Sequence, residues 1–273
     1  MMMSALLEVE GLEVVYGHVI RAIQGISFSV EEGKIVGLVG LNGAGKTTTI
    51  RAISGFLPTE NVRITDGRIR YSGRPIVRMR PFEIARLGIA VVPEREKVFD
   101  TLTVRENLEL AMSINNSATN EAGRCRKFQT VKSIFDMFEA LARRSDQLSI
   151  FLSGGERQML AIGACLLTAP KLLIVDEASL GLAPIMRRQV LDMLAQLNRE
   201  LGLTILIVDQ DVGGVLSIAD HGYILENGRV VFDGAREDLL KHGDVKEFYL
   251  GQKDERERGY RDVKQYRRVR RWH

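Results

Sequence analysis

The segment "GLNGAGKT", Gly40 to Thr47, does most to narrow what this 273-residue chain can become. It fits G-x-x-x-x-G-K-[ST] and lies between "KIVGLVG" (34–40), a short β-branched run that reads as a strand, and "KTTTIRAISG", which reads as a helix. In that context glycines let backbone N–H groups turn inward around phosphates, and the following helix directs its positive end at them. Lys46 is expected to reach the β- and γ-phosphates of a nucleotide, and the Thr47 hydroxyl to ligand Mg²⁺. The expected nucleotide site runs through Asn42, Gly43, Ala44, Gly45, Lys46, Thr47 and Thr48.

A second segment completes the chemistry. "KLLIVDE" (171–177) is a continuous apolar run ending in two acids. Asp176 at the end of a buried strand is placed to hold Mg²⁺, directly or through water. Glu177 is placed to orient the water that attacks a γ-phosphate and to accept its proton. An acid pair there also suits a helix N-cap, but the phosphate loop in the same chain favours the metal and the water.

The same kind of run recurs in "GIAVVPE" (88–94) and "TILIVDQ" (204–210), as expected of strands buried on both faces of a parallel sheet. "HGYILENGRVVFDG" (221–234) instead alternates on both sides of Asn227-Gly228, a hairpin pattern. The first thirty residues also alternate, so an antiparallel layer is expected beside the parallel core. From about 100 to 168 strand signals vanish, and "VKSIFDMFEALARR" (131–144) has helical spacing, with a polar loop expected at 114–123. The expected fold is α/β: a mostly parallel core sheet, an N-terminal antiparallel β layer and an inserted helical subdomain, within one domain over 1–251.

Bulk properties exclude several alternatives. The start, with Glu8 and Glu10 and no basic region, does not read as a secretory signal, and no apolar stretch approaches the roughly 20 residues of a membrane-spanning helix. Cys125 and Cys165 are far apart, with no His or Cys near enough to suggest a metal site, and read as reduced thiols. The chain carries net +3, but residues 252–273 hold nine Lys/Arg against four Asp/Glu, leaving the first 251 residues at −2. Such a tail is expected to be solvated and mobile rather than bound to anionic lipid or nucleic acid.

"LSGGERQ" (152–158) sets the class. The chain resembles the ATP-binding cassette (ABC) ATPases, whose signature is LSGGQ-like, along essentially all of residues 6 to 250. The resemblance implies that Ser153, Gly154 and Gly155 grip the ATP held by a second cassette's phosphate loop, so the chain is half of a homo- or heterodimer. It also implies that Tyr16, in "VVYG", stacks on adenine. "VVPEREKVF" (91–99) corresponds to the Q-loop, "SLGLAP" (179–184) to the D-loop and Gln210 to the switch position.

Three positions depart from the general pattern: Glu94 for glutamine, Ala183 for aspartate and Gln210 for histidine. Together with "VVPE", "SLGLAPI" and "GYILENGRVV" they resemble the LivF-type ATPase subunits of branched-chain amino acid importers. Glu94 keeps an oxygen for Mg²⁺ or water. Gln210 keeps an amide for the γ-phosphate but no titratable ring. Glu177, Gln210 and Glu94 are the expected catalytic residues, with Thr47, Glu94 and Asp176 at the metal. Ala178, where that subgroup usually has proline, and Glu96 and Lys97 depart even from it, and the tail runs past its usual end.

The resemblance implies an ATPase on the cytoplasmic face of a membrane, held there by permease subunits and served by a periplasmic or extracellular solute-binding protein, without nucleic acid. Its coupling surface is expected over Glu94 to Leu108, where charge reversal at Arg95 or Lys97 should uncouple transport and spare basal hydrolysis. A soluble non-transport ABC ATPase, and a subunit that binds ATP but hydrolyses it weakly, are the alternatives.

Overall fold

The computed structural model describes residues 5–17, 19–57, 62–95, 97–116, 128 and 130–249, with the side chains of 114–116 excepted. Glu96, Cys125 and the tail 252–273 lie outside the described residues.

Two sheets form the frame. In the first, β1 (Ala5–Tyr16) pairs antiparallel with β2 (Ile20–Glu31) and with β4 (Val62–Tyr71), and β5 (Arg74–Pro75) closes the order β2-β1-β4-β5. This is the expected antiparallel layer. Its third strand, "VRITDGRIRY", was hidden by Asp66-Gly67, which interrupts the apolar alternation where the pairing with β1 shifts register.

The second sheet has the order β10-β9-β3-β8-β7-β6. Its parallel strands are β3 (Ile35–Gly40), β6 (Ile89–Val92), β7 (Leu172–Asp176), β8 (Thr204–Asp209) and β9 (His221–Glu226). β10 (Arg229–Ala235) returns antiparallel on β9 through Asn227 and Gly228, both at positive φ, as a tight hairpin turn requires. β3, β7 and β8 are buried at every residue, which explains why they are apolar apart from Thr204 and the aspartates that end β7 and β8.

Side chains still alternate across this sheet. Val39, Val175 and Ile207 join one core cluster with the helices, whereas Leu38, Ile174 and Val208 join another with the antiparallel sheet. The sheet is the middle layer and both cores are built on it.

Helices α1 (Lys46–Ser54) and α2 (Pro81–Arg86) contribute to the core on the antiparallel-sheet side. The other side carries α3 (Val104–Asn116), α4 (Val131–Met137), α5 (Glu139–Ala142), α6 (Gly154–Leu167), α7 (Pro184–Leu201), α8 (Val212–Leu216), α9 (Arg236–Lys241) and α10 (Gly243–Phe248). α3 runs three residues into the stretch expected to be a loop from 114, and the rest of that stretch lies outside the described residues. The helix expected over 131–144 is broken at Phe138 (φ −114°, ψ 76°), whose buried ring lies over Gly163 of α6. Burial of that ring overrides the helical periodicity. Among the described residues no helix is long and apolar enough to cross a membrane.

Parallel register matters most for function. Val39 pairs with Asp209, Asp176 with Val208, and Val92 with Val175. The segments leaving β3, β6, β7 and β8 therefore emerge along one edge, the carboxyl end of the sheet, where open α/β sheets gather their functional loops.

Candidate functional site

The loop after β3 carries Asn42 and Gly43 exposed at its tip and enters α1 through Gly45. Gly45 has φ 107°, and a Cβ there would lie 2.6 Å from Ile23 Cδ1 and 3.0 Å from the Ala22 carbonyl oxygen. Only glycine meets both demands. Lys46 is 4% exposed, and its Nζ donates to the carbonyls of Gly40 (2.8 Å) and Leu41 (3.3 Å). The same ammonium lies 3.3 Å from Glu177 Oε1, in a pair buried on both sides. Thr47 is half-buried beside it. Thr48 Oγ1 is 3.1 Å from the Tyr16 hydroxyl, so the aromatic singled out in the sequence is tied to the first turn of α1.

Glu177 is one of four non-glycine residues described at positive φ (50°), and its amide donates to the Val208 carbonyl at 2.7 Å. This strained backbone swings the carboxylate out of the line of β7 and onto Lys46. Burial pushes the Glu177 carboxyl up, helped by the charge of Asp209 and opposed by Lys46. Burial, then the charges of Glu177 and Glu94, push Asp176 up to about 7. Asp176 Oδ1 and Glu177 Oε2 are buried with no hydrogen-bond partner among the described residues. Crowded carboxylates with unused buried oxygens fit a divalent cation. No group of three or more His, Cys, Asp or Glu side chains among the described residues could hold one unaided. Mg²⁺ keeps waters and phosphate oxygens as ligands and needs only one or two carboxylates. Glu94 is partly exposed and accepts from Arg95 Nε at 3.2 Å.

Gln210 follows β8, half-buried. Its neighbours hold it. Asp209 is fully buried and accepts from the Ser179 amide (3.0 Å), the Ser179 hydroxyl (2.9 Å) and the Asp211 amide (2.9 Å). Asp211 accepts from Arg187 Nη1 at 3.2 Å and from the Gly214 amide at 3.0 Å. The segment after β7 and the switch segment are thus knotted on both sides of Gln210. A hollow of about 280 Å³ opens between them, lined by Leu41, Ser179, Leu180, Gly181, Arg187, Gln210 and Asp211. The sequence singles out Gln210 and gives Asp209, Asp211 and Arg187 no role, although Asp209 stands out as the charge that ends the apolar stretch 205–208.

Ser153 caps α6. Its Oγ accepts from the Glu156 amide at 3.3 Å and donates to Glu156 Oε2 at 2.8 Å. Glu156 also pairs with Arg144. Ser153 and Gly154 are exposed, whereas Gly155 is buried, and a Cβ on it would meet Met186 Cε at 2.2 Å. The three residues are not gathered with Lys46 and Glu177 by any described hydrogen bond.

Lys97, expected on the coupling surface, is half-buried, and its Nζ donates to Gln158 Oε1 of α6. Arg95 is exposed, but it bonds Glu94. Charge reversal at Arg95 breaks its bond to Glu94 and at Lys97 its bond to Gln158, so neither isolates coupling.

The sequence matches the ABC transporter family over residues 23–180. It is 38% identical to the high-affinity branched-chain amino acid transport ATP-binding protein BraG of Pseudomonas aeruginosa, over 90% of this chain and all of that one. It is 32% identical to the lipopolysaccharide export system ATP-binding protein LptB of Haemophilus influenzae, over 85% of this chain and 92% of the other. Among solved structures, the ADP conformation of MJ1267, an ATP-binding cassette of an ABC transporter, superposes with a TM-score of 0.75 at 27% identity, covering 91% of this chain and all of that one.

Proposed function

This chain belongs to the ABC transporter family as an ATP-hydrolysing subunit, and we propose that it drives a membrane permease importing branched-chain or other hydrophobic amino acids. The observation that carries the reading is the strained Glu177, held on Lys46 beside an Asp176 Oδ1 that has no hydrogen-bond partner among the described residues, in a chain 90% of which matches the whole length of a branched-chain amino acid transport ATP-binding protein.

In this reading Gly43 to Gly45 present backbone amides to the phosphates, and Lys46 leaves its loop carbonyls for the β- and γ-oxygens of ATP. Tyr16 stacks on adenine. Thr47, Asp176 and Glu94 would hold Mg²⁺, which would supply positive charge to offset that of the phosphates. Release of Lys46 to the phosphates frees Glu177 to take a proton from the attacking water. The Gln210 amide donates to the γ-phosphate, and the ties of Asp209 and Asp211 keep it there. Ser153 and Gly154, exposed at the start of α6, face the ATP of a second cassette, of the same or a different sequence.

The coupling surface on the permease side is the apolar ground around Phe99, Ile150 and Phe151, which are 60%, 53% and 66% exposed. Their stretches are joined by the Ile150 amide, which donates to the Asp100 carbonyl, and by the Arg157–Asp100 pair. Wild-type chain co-purified with its permease is expected to hydrolyse ATP several-fold faster than alone. Phe99→Asp is expected to lose the permease and the stimulation while keeping the basal rate. A permease that neither binds nor stimulates the wild type would overturn the coupling role. The likeness to LptB supports a second reading, the same engine driving export. Further stimulation by a solute-binding protein carrying a branched-chain amino acid favours import, and its absence export.

A further inference from the structure

Beneath the apolar ground of Phe99, Ile150 and Phe151 the chain is tied by a dense set of hydrogen bonds. Asn107, which is buried, clasps Phe99 by both backbone groups. Its Oδ1 accepts from the Phe99 amide at 2.8 Å and its Nδ2 donates to the Phe99 carbonyl at 3.1 Å. The same Nδ2 donates to the buried Ser149 Oγ at 2.8 Å, and the Ser149 amide and hydroxyl each donate to the Leu102 carbonyl at 2.9 Å. Buried polar groups satisfied in this way favour one arrangement, because a shift leaves a donor or acceptor unmet. The stretches 99–102 and 149–151 therefore move as one piece. Arg157 connects that piece to α6. Its Nη1 pairs with Asp100 Oδ1 at 3.1 Å, and its Nη2 donates to the carbonyls of Ile150 (3.1 Å) and Ser149 (3.4 Å). Its own amide donates to the Ser153 carbonyl at 2.9 Å. Glu156 beside it is engaged elsewhere, with Ser153 and Arg144.

We propose that Arg157 is a positioning residue that carries permease contact at Phe99, Ile150 and Phe151 to the pose of Ser153 and Gly154. This rests on the reading of that apolar ground as the coupling surface. One guanidinium bonds both stretches of the surface, and one backbone hydrogen bond separates it from the signature serine. The ion pair with Asp100 is partly exposed and adds little stability. Its worth is geometric, since a planar fork held on two sides fixes direction as a lone ammonium cannot. Displacement of the surface pulls on this fork and with it on the first turn of α6. Docking and transmission are thus given to different residues, Phe99 to the first and Arg157 to the second.

The test uses the full chain, alone and assembled with its permease and partner ATPase. It reads basal hydrolysis, retention of the permease on co-purification, and hydrolysis in the assembly. Arg157→Met removes the fork and keeps an apolar stem. It is expected to retain the permease and the basal rate, while hydrolysis in the assembly falls to within about twofold of that basal rate. Arg157→Lys keeps the charge without the fork and is expected to recover part of the stimulation. Asp100→Asn loses the ion pair alone and is expected to lower the stimulation by a smaller factor. Added to Arg157→Met it should cost nothing further, since both act through one contact.

Full stimulation in a folded Arg157→Met chain overturns the proposal, as does full stimulation in Asp100→Asn should Arg157→Met fail to fold. Loss of the permease from Arg157→Met would make Arg157 part of the docking face, and an equal fall in the basal rate would make it a structural brace. Either result also overturns the proposal. A permease that neither binds nor stimulates the wild-type chain would strike the coupling-surface reading itself, and the two failures are therefore separable.

Discussion

At the scale of single residues, the site is defined by charges that do not suit one another until a ligand arrives. Asp176 shows this best, with burial and two neighbouring carboxylates pushing it up to about 7. A carboxyl raised in the folded state binds more protons there than in the unfolded chain, so stability falls as pH rises. The window lies between the ordinary value of 3.8 and about 7, and above it the full cost is present. Asp176→Asn is therefore expected to melt higher than wild type at pH 8 without nucleotide, by at least about 2 °C, since 1 kcal/mol corresponds to about 2–4 °C in a domain of this size. The gap should close as the pH is lowered through 6 to 5. A variant melting below wild type at pH 8 would show that these carboxylates are not strained. Lys46, Thr47, Asp176 and Glu177 were legible because their spacing follows from phosphate chemistry. Lys97 was not, since nothing in "PEREKVF" says which of its charges turns inward. Only the position of Gln158, 61 residues away, settles that.

At the scale of elements, strands were easier to read than the ties between them. Runs such as "LLIVD" and "TILIVD" are apolar through their interiors because both faces of the middle sheet are covered, and Asn227-Gly228 marks the hairpin. The β4 strand was missed because Asp66-Gly67 breaks its alternation, and the helix over 131–144 was drawn too long because the pull on Phe138 comes from α6. Least legible was the knot that holds the switch, made by Asp209, Ser179, Asp211 and Arg187 from the ends of two strands and one helix. Each side chain looks ordinary in sequence. Asp209→Ala leaves buried donors on Ser179 and Asp211 unmet and is expected to destabilise the protein by about 2–3 kcal/mol. It should also cut hydrolysis more than tenfold, because Gln210 loses its support. Urea unfolding and steady-state rates check both. Normal turnover in a folded Asp209→Ala chain would leave the knot a purely structural device.

At the scale of the whole molecule, the chain is organised around one edge of its middle sheet. Loops from β3, β6, β7 and β8 meet there, the helices with the signature pack on one face, and the antiparallel sheet backs the other. In the proposed reading such a body grips ATP from one side, and Ser153 and Gly154, exposed at the start of α6, supply the matching grip for a second body's ATP. The central claim is that Gln210 serves this machine as a working switch in place of histidine. The most direct test is steady-state Mg²⁺-dependent ATP hydrolysis by the purified chain with its permease and partner ATPase, wild type beside Glu177→Gln and Gln210→His. The expected result is turnover reduced at least about 100-fold by Glu177→Gln, as loss of a general base requires, and changed less than about threefold by Gln210→His. Absence of wild-type turnover that is restored by Gln210→His would contradict the account and make this subunit's own site a binding clamp.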